Sequence, residues 1–418
     1  MRARGVVIGL VTVILAATAC GSVPGQRAAG GGDQLYVALS SGHAQFISVI
    51  DSRNHQEERR LPFGAPSPDW QHLYSLESSV ILDTDPATGL TRARLDLQHA
   101  YRMPSATATG MPGGLSPNAS WLVVERYDQA GDSLPTASHF LVVNTAAMQI
   151  ASRVDLPGFF DFDAISNDGH RMFLIQNVNG KQYYVRMYDV AAGKLDPYPV
   201  VDKNEGGEAM TGIRLSGVPS AEGGWLFSMY VRDHSSPFVH ALSLDNPLAF
   251  CLDLRGGGYA DDGTAMQWAL AMSPTGTDLY AANAASGDVA RIGMSDGTPR
   301  IVRAERLAQP GAVAGLIKTV QAKEVGGNIA VVSADGQTLA IGGTSGIVWV
   351  DGQTLSVRHR ALSGWPVASL GLSPDGKTLY AVSVGGRVAV ITMASAAVDT
   401  IFDLSGGQPM ALMRVAAA

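Results

Sequence analysis

Residues 371–383 read GLSPDGKTLYAVS, a short apolar run, a Ser-Pro-Asp-Gly turn and an alternating apolar segment. Proline sets φ near −65° early in a turn, aspartate accepts local backbone hydrogen bonds, and glycine takes a positive φ at no steric cost. Alternation after the turn places every second side chain on a packed face, as in a half-buried β-strand. The stretch therefore predicts two strands joined by a tight hairpin turn.

The same plan recurs along the chain. Clear copies are AMSPTGTDLYAAN (271–283) and VVSADGQTLAIGG (331–343). Weaker copies are GAPSPDWQHLYSLE (64–77), GLSPNASWLVVER (114–126), AISNDGHRMFLIQ (164–176) and, with an insertion, RLSGVPSAEGGWLFSMY (214–230). A third strand, a polar turn and a fourth strand follow, as in VAVITMASAAVDTIFDL (388–404). Four strands in each repeat of about 40–50 residues are the signature of a β-propeller.

The second strands number eight, which predicts eight blades, or seven if the first unit merges with residues 64–97. The first unit lacks an inner strand, and residues 408–415 (QPMALMRV) supply a candidate for it. We therefore predict an all-β fold over residues 34–418, a single propeller of four-stranded antiparallel blades closed by the C-terminal strand. Closure of this kind removes an exposed sheet edge.

Composition agrees with this prediction and excludes other classes. The chain has 418 residues, 46% hydrophobic and 16% charged, which excludes a disordered protein. Its 48 glycines suit many short strands joined by tight turns. The formal net charge of −7 gives no footprint for nucleic-acid binding.

The first twenty residues have the pattern of an export signal. Arg2 and Arg4 precede an apolar run over residues 5–16, and small residues lead to Cys20. The ending Ala17-Thr18-Ala19-Cys20 resembles the lipobox of bacterial lipoproteins. That resemblance implies cleavage after residue 19 and a diacylglycerol on Cys20. The alternative is an ordinary signal with an incidental cysteine.

Residues 20–33, rich in glycine, are expected to form a flexible tether behind this anchor. No later stretch is apolar enough, for long enough, to span a bilayer. We therefore expect a protein outside the cytoplasm that is held on the cell membrane by lipid.

The repeats also resemble a known class of propeller. SPDGKTLYAVS (373–383) is similar to the YVTN/YncE-type and WD-like propeller repeats of bacterial exported proteins. The resemblance specifies the fold and leaves the activity open, because propellers carry many unrelated functions.

Length variation gathers on the side opposite the Ser-Pro-Asp-Gly turns. The variable segments are residues 98–113, 126–138, 231–237, 255–267 and 307–327. Long loops on a rigid scaffold commonly carry binding sites, although they can also be tolerated insertions. We expect a protein or cell-envelope ligand on this side, and the polar candidates are Asp128, Asp132, His234, Asp261 and Asp262.

Metal, cofactor and catalytic signatures are weak. Asp261-Asp262-Gly263 could contribute to a hard-cation site, but it lacks the spacing of a calcium loop and also fits a solvated acidic turn. The nine histidines form no H-x-x-x-H pair, and no G-x-S-x-G elbow is present. We therefore predict no metal, no cofactor and no catalytic residue, and we interpret Cys251, in an apolar run, as a buried thiol.

These observations favour a binding or scaffold module over an enzyme. The alternative is an exported hydrolase or lyase with its site at the mouth of the central channel. Two or more carboxylates, or a His–acid pair, within hydrogen-bond distance at the channel mouth would favour the enzyme. An apolar patch on the loop-rich side would favour the binding module.

Overall fold

The described residues form eight sheets, numbered here as blades 1–8 from the N-terminus, which are antiparallel apart from one short parallel edge strand in blade 5. The structure is a computed structural model that describes residues 32–131, 133–202, 207–261, 263–294, 297–308 and 329–418. Among these residues the one helical element is a short 3-10 turn, Gly263–Gln267. No helix in these ranges is long and apolar enough to cross a membrane.

The strands follow one another along the chain, blade by blade. Blades 1–3 contain β1 (Asp33–Ser41), β2 (Ala44–Asp51), β3 (Glu57–Pro62); β4 (Gly64–Pro66), β5 (Leu73–Glu77), β6 (Val80–Thr84), β7 (Thr91–Asp96); β8 (Trp121–Asp128), β9 (Ala137–Asn144) and β10 (Gln149–Pro157). Strands β11 (Phe160–Ile165), β12 (Arg171–Asn177), β13 (Gln182–Asp189) and β14 (Lys194–Pro199) form blade 4. Two short strands follow: β15 (Val201–Asp202) pairs in blade 5 and β16 (Met210–Thr211) pairs in blade 4. Blade 5 also contains β17 (Ile213–Pro219), β18 (Trp225–Val231), β19 (Phe238–Ser243) and β20 (Leu248–Asp253). Blades 6–8 contain β21 (Ala269–Met272), β22 (Asp278–Ala282), β23 (Asp288–Gly293), β24 (Arg300–Arg306); β25 (Ala330–Val332), β26 (Thr338–Gly343), β27 (Gly346–Asp351), β28 (Val357–Ala361); β29 (Val367–Leu372), β30 (Thr378–Ser383), β31 (Arg387–Thr392) and β32 (Val398–Asp403). The last strand is β33 (Gln408–Ala417).

Strand β33 closes the ring by joining blade 1. It pairs antiparallel with β1, with Ala417 opposite Asp33 and Gln408 opposite Ser40, and it takes the inner position of that blade. The predicted eight blades and the predicted closure by the C-terminal strand are confirmed. The seven-blade alternative is wrong, because β4–β7 form a complete sheet separate from blade 1.

Apolar side chains hold each blade against the next. Buried pairs at successive junctions are Val49 and Leu73, Ile81 and Leu122, Phe140 and Phe160, Phe173 and Phe238, Phe227 and Leu279, Tyr280 and Leu339, Ile341 and Leu379, and Val382 and Leu35. Burying one such side chain contributes about 1.5–3 kcal/mol. The core is therefore a ring of clusters between the sheets.

A serine holds each hairpin turn between a first and a second strand. In blade 8 the Ser373 hydroxyl accepts the Thr378 N–H at 2.9 Å and donates to the Asp375 carboxylate at 2.7 Å. Gly376 has φ of +72°, as the turn requires. The serines that accept the N–H five residues later in the other turns are Ser67, Ser116, Ser166, Ser220, Ser273 and Ser333.

Blade 3 departs from the four-strand plan at its inner position. Although residues 98–120 are all described, they contribute only isolated bridges to β8, Arg102 to Glu125 and Leu115 to Leu122. Prolines at 104 and 112 cannot donate to a ladder, so a regular strand is interrupted there. Between the two bridges the chain leaves the blade.

Candidate functional site

Strand order assigns every connection to one of two faces. Connections after a first or third strand open on one face, here the turn face, and those after a second or fourth strand open on the other, here the loop face. The variable segments 98–113, 126–138, 231–237 and 255–267 all follow a second or fourth strand, so all lie on the loop face. Of the fifth segment, 307–327, only residues 307 and 308 fall among the described residues.

Residues 104–112, here the central hairpin, project from the inner position of blade 3. The hairpin is closed by Ala106 N–H donating to the Met111 carbonyl at 2.7 Å. Just outside it, Gly113 N–H donates to the Pro104 carbonyl, also at 2.7 Å. The segment thus has internal structure of its own.

The central hairpin reaches blades on opposite sides of the ring. Ala108 N–H donates to the carbonyl of Leu215 in blade 5 at 2.9 Å. Met111 packs against Ala38 and Ala411 of blade 1. Because blades 1 and 5 face each other across a ring of eight, the hairpin lies across the central channel.

Arg214 of blade 5 fixes the base of this hairpin. Its guanidinium donates to the carbonyl of Ala106 at 3.2 Å and forms an ion pair with Asp163 of blade 4. Asp163 is 6% exposed, so the ion pair is largely withdrawn from water. A buried charge needs such a partner, and the pair ties blades 4 and 5 to the hairpin.

Two carboxylates meet beside the hairpin at the junction of blades 3 and 4. The Arg102 guanidinium lies 3.1 Å from a Glu125 oxygen and 3.8 Å from an Asp161 oxygen, and it covers the Tyr127 ring at 4.6 Å. Glu125 also accepts the Phe162 N–H at 3.2 Å. The cluster joins the inner segment of blade 3 to the first strand of blade 4.

Asp161 is held by two further donors. The Tyr127 hydroxyl donates to one of its oxygens and the Asn177 amide donates to the other, each at 2.9 Å. The Tyr127 ring also meets Phe159 edge-on at 5.4 Å. Both Asp161 oxygens therefore have protein partners.

Burial controls the electrostatics of this cluster. Glu125 is 3% exposed, and burial raises the pKa of its carboxyl although Arg102 opposes the shift. Burial, together with the nearby carboxylates, raises the pKa of Tyr127 as well. Tyr127 therefore serves here as a neutral hydrogen-bond donor.

These residues were not predicted as site residues, although the sequence contains a signal for one of them. In WLVVERYD (121–128) Glu125 shares the phase of Val123, which faces the core toward blade 4. A charged residue on the apolar phase of a buried strand indicates a partner or a site. The partner, Arg102, lies in an irregular segment whose position the sequence pattern does not specify.

Asp128, a sequence candidate, lies in a row of polar side chains on blade 3. Its carboxylate is 3.0 Å from His139 Nε2 and 2.6 Å from the Arg126 guanidinium. The other imidazole nitrogen of His139 is 2.5 Å from Asp155. The hydrogen bond with His139 lowers the pKa of Asp128, which favours the ionised carboxylate in this row.

His234 and Asp261, two further candidates, come together from separate loops. The imidazole Nδ1 lies 2.7 Å from an Asp261 oxygen, and this hydrogen bond raises the pKa of His234. A side chain at Gly258 would bring its Cβ to 1.9 Å from the Asp233 carbonyl, so only glycine allows the loops to approach this closely. Both side chains are exposed and form a surface pair.

Three of the predicted site residues are not among the residues that the structure describes. Cys20, Asp132 and Asp262 lie outside the described residues, as do the signal 1–19 and nearly all of the tether. Within the described ranges no three His, Cys, Asp or Glu side chains form a group that could hold a metal ion. Cys251 is buried in β20, with its sulfur 3.7 Å from His240 Nδ1.

Comparison with known proteins shows the fold and no more. No protein-family model and no curated protein matches the chain. The dihydro-heme d1 dehydrogenase NirN, solved in complex with DHE, is similar over 90% of this chain and 74% of its own, with 14% identity and a TM-score of 0.54. Apo AztD from Citrobacter koseri is similar over 93% of this chain and 98% of its own, with 10% identity and a TM-score of 0.55.

Proposed function

We propose that this protein is an exported, lipid-anchored β-propeller that binds a protein or cell-envelope ligand on its loop face. The main support for this proposal is the central hairpin, which lies across the channel through its contacts with blades 1 and 5. A hairpin across the channel narrows the entrance for a small substrate and adds contact surface, which favours a macromolecular partner.

Exposed apolar side chains on the same face support this proposal. Leu134 is 48% exposed, Val178 50% and Ile213 40%, and each lies at the loop-face end of its blade. Polar groups there are instead paired with one another, as in Arg102 with Glu125 and His234 with Asp261. Apolar side chains amid satisfied polar ones are typical of a protein-binding surface.

The test is capture of a partner by the full chain from envelope extracts. Leu134→Asp places a charge on the loop face and should reduce capture by tenfold or more. Leu90→Asp is the matched control, because Leu90 is 69% exposed in a turn-face connection of blade 2. Equal capture by both variants would argue against the loop face as the binding surface.

The anchor has its own test. Support for it comes from the apolar run and from Cys20 in its lipobox-like setting. Cys20→Ser should move the protein from the membrane fraction to the soluble fraction, because acyl chains contribute about 0.8 kcal/mol per buried CH₂. Retention of the serine variant on membranes would contradict lipidation.

An exported hydrolase or lyase is the second candidate, and one observation favours it. Glu125 and Asp161 are two carboxylates on one arginine beside the channel centre, with Tyr127 as a donor. NirN, a dehydrogenase by its printed name, shows that an enzyme can have a similar fold. We rank this candidate second because the oxygens of both carboxylates are already engaged by Arg102, Tyr127, Asn177 and the Phe162 N–H.

Activity measurements separate the two candidates. Under the enzyme hypothesis, turnover of chromogenic ester or glycoside substrates by the full chain should fall at least a hundredfold in Glu125→Gln. Under the binding hypothesis the same variant should still capture the partner, because Glu125 is buried beneath the surface.

A further inference from the structure

Blade 4 carries an open cleft over the loop-face half of β12, β13 and β14. Its volume is about 600 Å³, within the range of sites that receive organic groups or peptide side chains. The lining residues are Gln176, Asn177, Val178, Tyr184, Arg186, Pro197, Pro199 and Gly207. The cleft adjoins the Asp161 cluster through Asn177, whose amide donates to Asp161.

Arg186 gives the cleft a guanidinium that forms no direct ion pair among the described residues, although the charge of Asp196 acts on it. Its guanidinium donates to the Gln176 side chain and, at 2.6 Å, to the Asp196 carbonyl. Its Nε is buried and has no hydrogen-bond partner among the described residues. Burial lowers the pKa of Arg186, and the negative charge of Asp196 opposes part of that shift.

The rim of the cleft is apolar and aromatic. Val178 is 50% exposed, and Tyr198, between the two lining prolines, is 75% exposed. Exposed tyrosine and aliphatic side chains around a charged floor provide contact area for an extended chain, while the charge selects what enters.

We propose that this cleft receives an acidic side chain from an extended segment of a partner protein, with Arg186 as the cation that binds the carboxylate. A guanidinium that is in no direct ion pair and keeps an unused N–H donor can bind a carboxylate through charged hydrogen bonds. This inference rests on the proposed function and specifies the chemistry of the partner.

Two labelled octapeptide libraries test the proposal with the purified full chain. The libraries are identical except that one fixed position is Glu in the first and Gln in the second. Fluorescence anisotropy should show binding of the Glu library about tenfold tighter than the Gln library, the effect of one charged hydrogen bond. Equal affinities, or no binding of either library, would overturn the proposal.

Variants show whether the preference depends on this cleft. Arg186→Gln should abolish the Glu preference, whereas Arg171→Gln, an equal charge change at the turn-face end of β12, should retain it. Val178→Glu, an exposed substitution at the rim, should weaken binding of the Glu library more than binding of the Gln library. A preference that survives Arg186→Gln would contradict the assignment of the site.

The outcomes separate this proposal from the proposed function. Peptide binding does not require the natural partner, so the absence of a Glu preference in the unmodified protein tells against the role of Arg186 alone. Failure of Leu134→Asp to reduce partner capture tells against the loop face as a whole.

Discussion

At the scale of single residues, two side chains lie in environments that are energetically unfavourable for their residue type. Glu125 is a carboxylate in a buried strand, and Ala119 occupies the left-handed turn position that glycine takes in most other repeats, with φ of +56°. The sequence pattern predicted the turns correctly. It did not reveal the anchoring serines, because a serine before a turn is also an ordinary surface residue.

Glu125 should make stability depend on pH. Burial raises the pKa of its carboxyl, so the folded protein holds this proton more tightly than the unfolded chain does. Stability is then lost as pH rises from the ordinary value through the raised folded value. Glu125→Gln removes this dependence, so the variant should gain stability relative to wild type between pH 4 and pH 7.

Urea unfolding at the two pH values measures that gain. Glu77→Gln, at an exposed position in a loop-face turn of blade 2, controls for the loss of one negative charge. A Glu125→Gln variant that loses stability relative to wild type as pH rises would contradict the prediction.

Replacement of Ala119 by glycine should increase the stability of the folded protein. A left-handed conformation costs an L-residue about 1–2 kcal/mol, part of which is offset by the buried methyl group. Ala119→Gly should therefore stabilise the protein by about 0.5–1 kcal/mol in thermal or urea unfolding. Ala147→Gly, in a turn with φ outside that region, should destabilise it by a similar amount. Equal signs for the two changes would be inconsistent with backbone strain at Ala119.

At the scale of elements, the strands were predictable and the central hairpin was not. Alternation and turn chemistry located the second strands near Leu73 and Leu379, because those patterns depend on neighbouring residues alone. Residues 104–112 are held by contacts with blades 1 and 5, far away in sequence. No local pattern records such contacts, so the segment was predicted only as a variable loop.

The packing of Met111 against blade 1 should stabilise the central hairpin in its position. Its side chain is 7% exposed against blade 1, and truncation of a buried methionine costs about 2–5 kcal/mol. Because the loss is local, Met111→Ala should speed hydrogen exchange of the Ala106 and Gly113 amides at least tenfold. The Thr378 amide in the turn of blade 8 should keep its rate. Unchanged exchange in the hairpin would show that Met111 does not anchor it.

At the scale of the whole molecule, one strand completes the ring. The first blade could be predicted to borrow its inner strand because its sequence begins with a second strand and the chain ends with an unassigned one. Removing residues 408–418 would leave the inner edge of β1 unpaired and expose the apolar cluster around Leu35, which Leu412 helps to cover. Such an edge promotes aggregation.

We expect that truncation to abolish a cooperative thermal transition and to yield aggregates in light scattering. Removing only residues 417 and 418 keeps nearly the whole ladder and should change stability by less than about 0.5 kcal/mol. A monomeric, cooperatively unfolding protein without residues 408–418 would contradict closure through β33.

Site-specific photo-crosslinking shows whether the loop face contacts a partner in the cell envelope. A photoreactive amino acid at position 134 lies on the loop face, and the same amino acid at position 90 lies on the turn face, both at exposed leucines. Irradiation of cell envelopes containing the full chain should yield a discrete crosslinked product from position 134 and none from position 90. A product from position 90 alone, or from neither position, would contradict a binding site on the loop face.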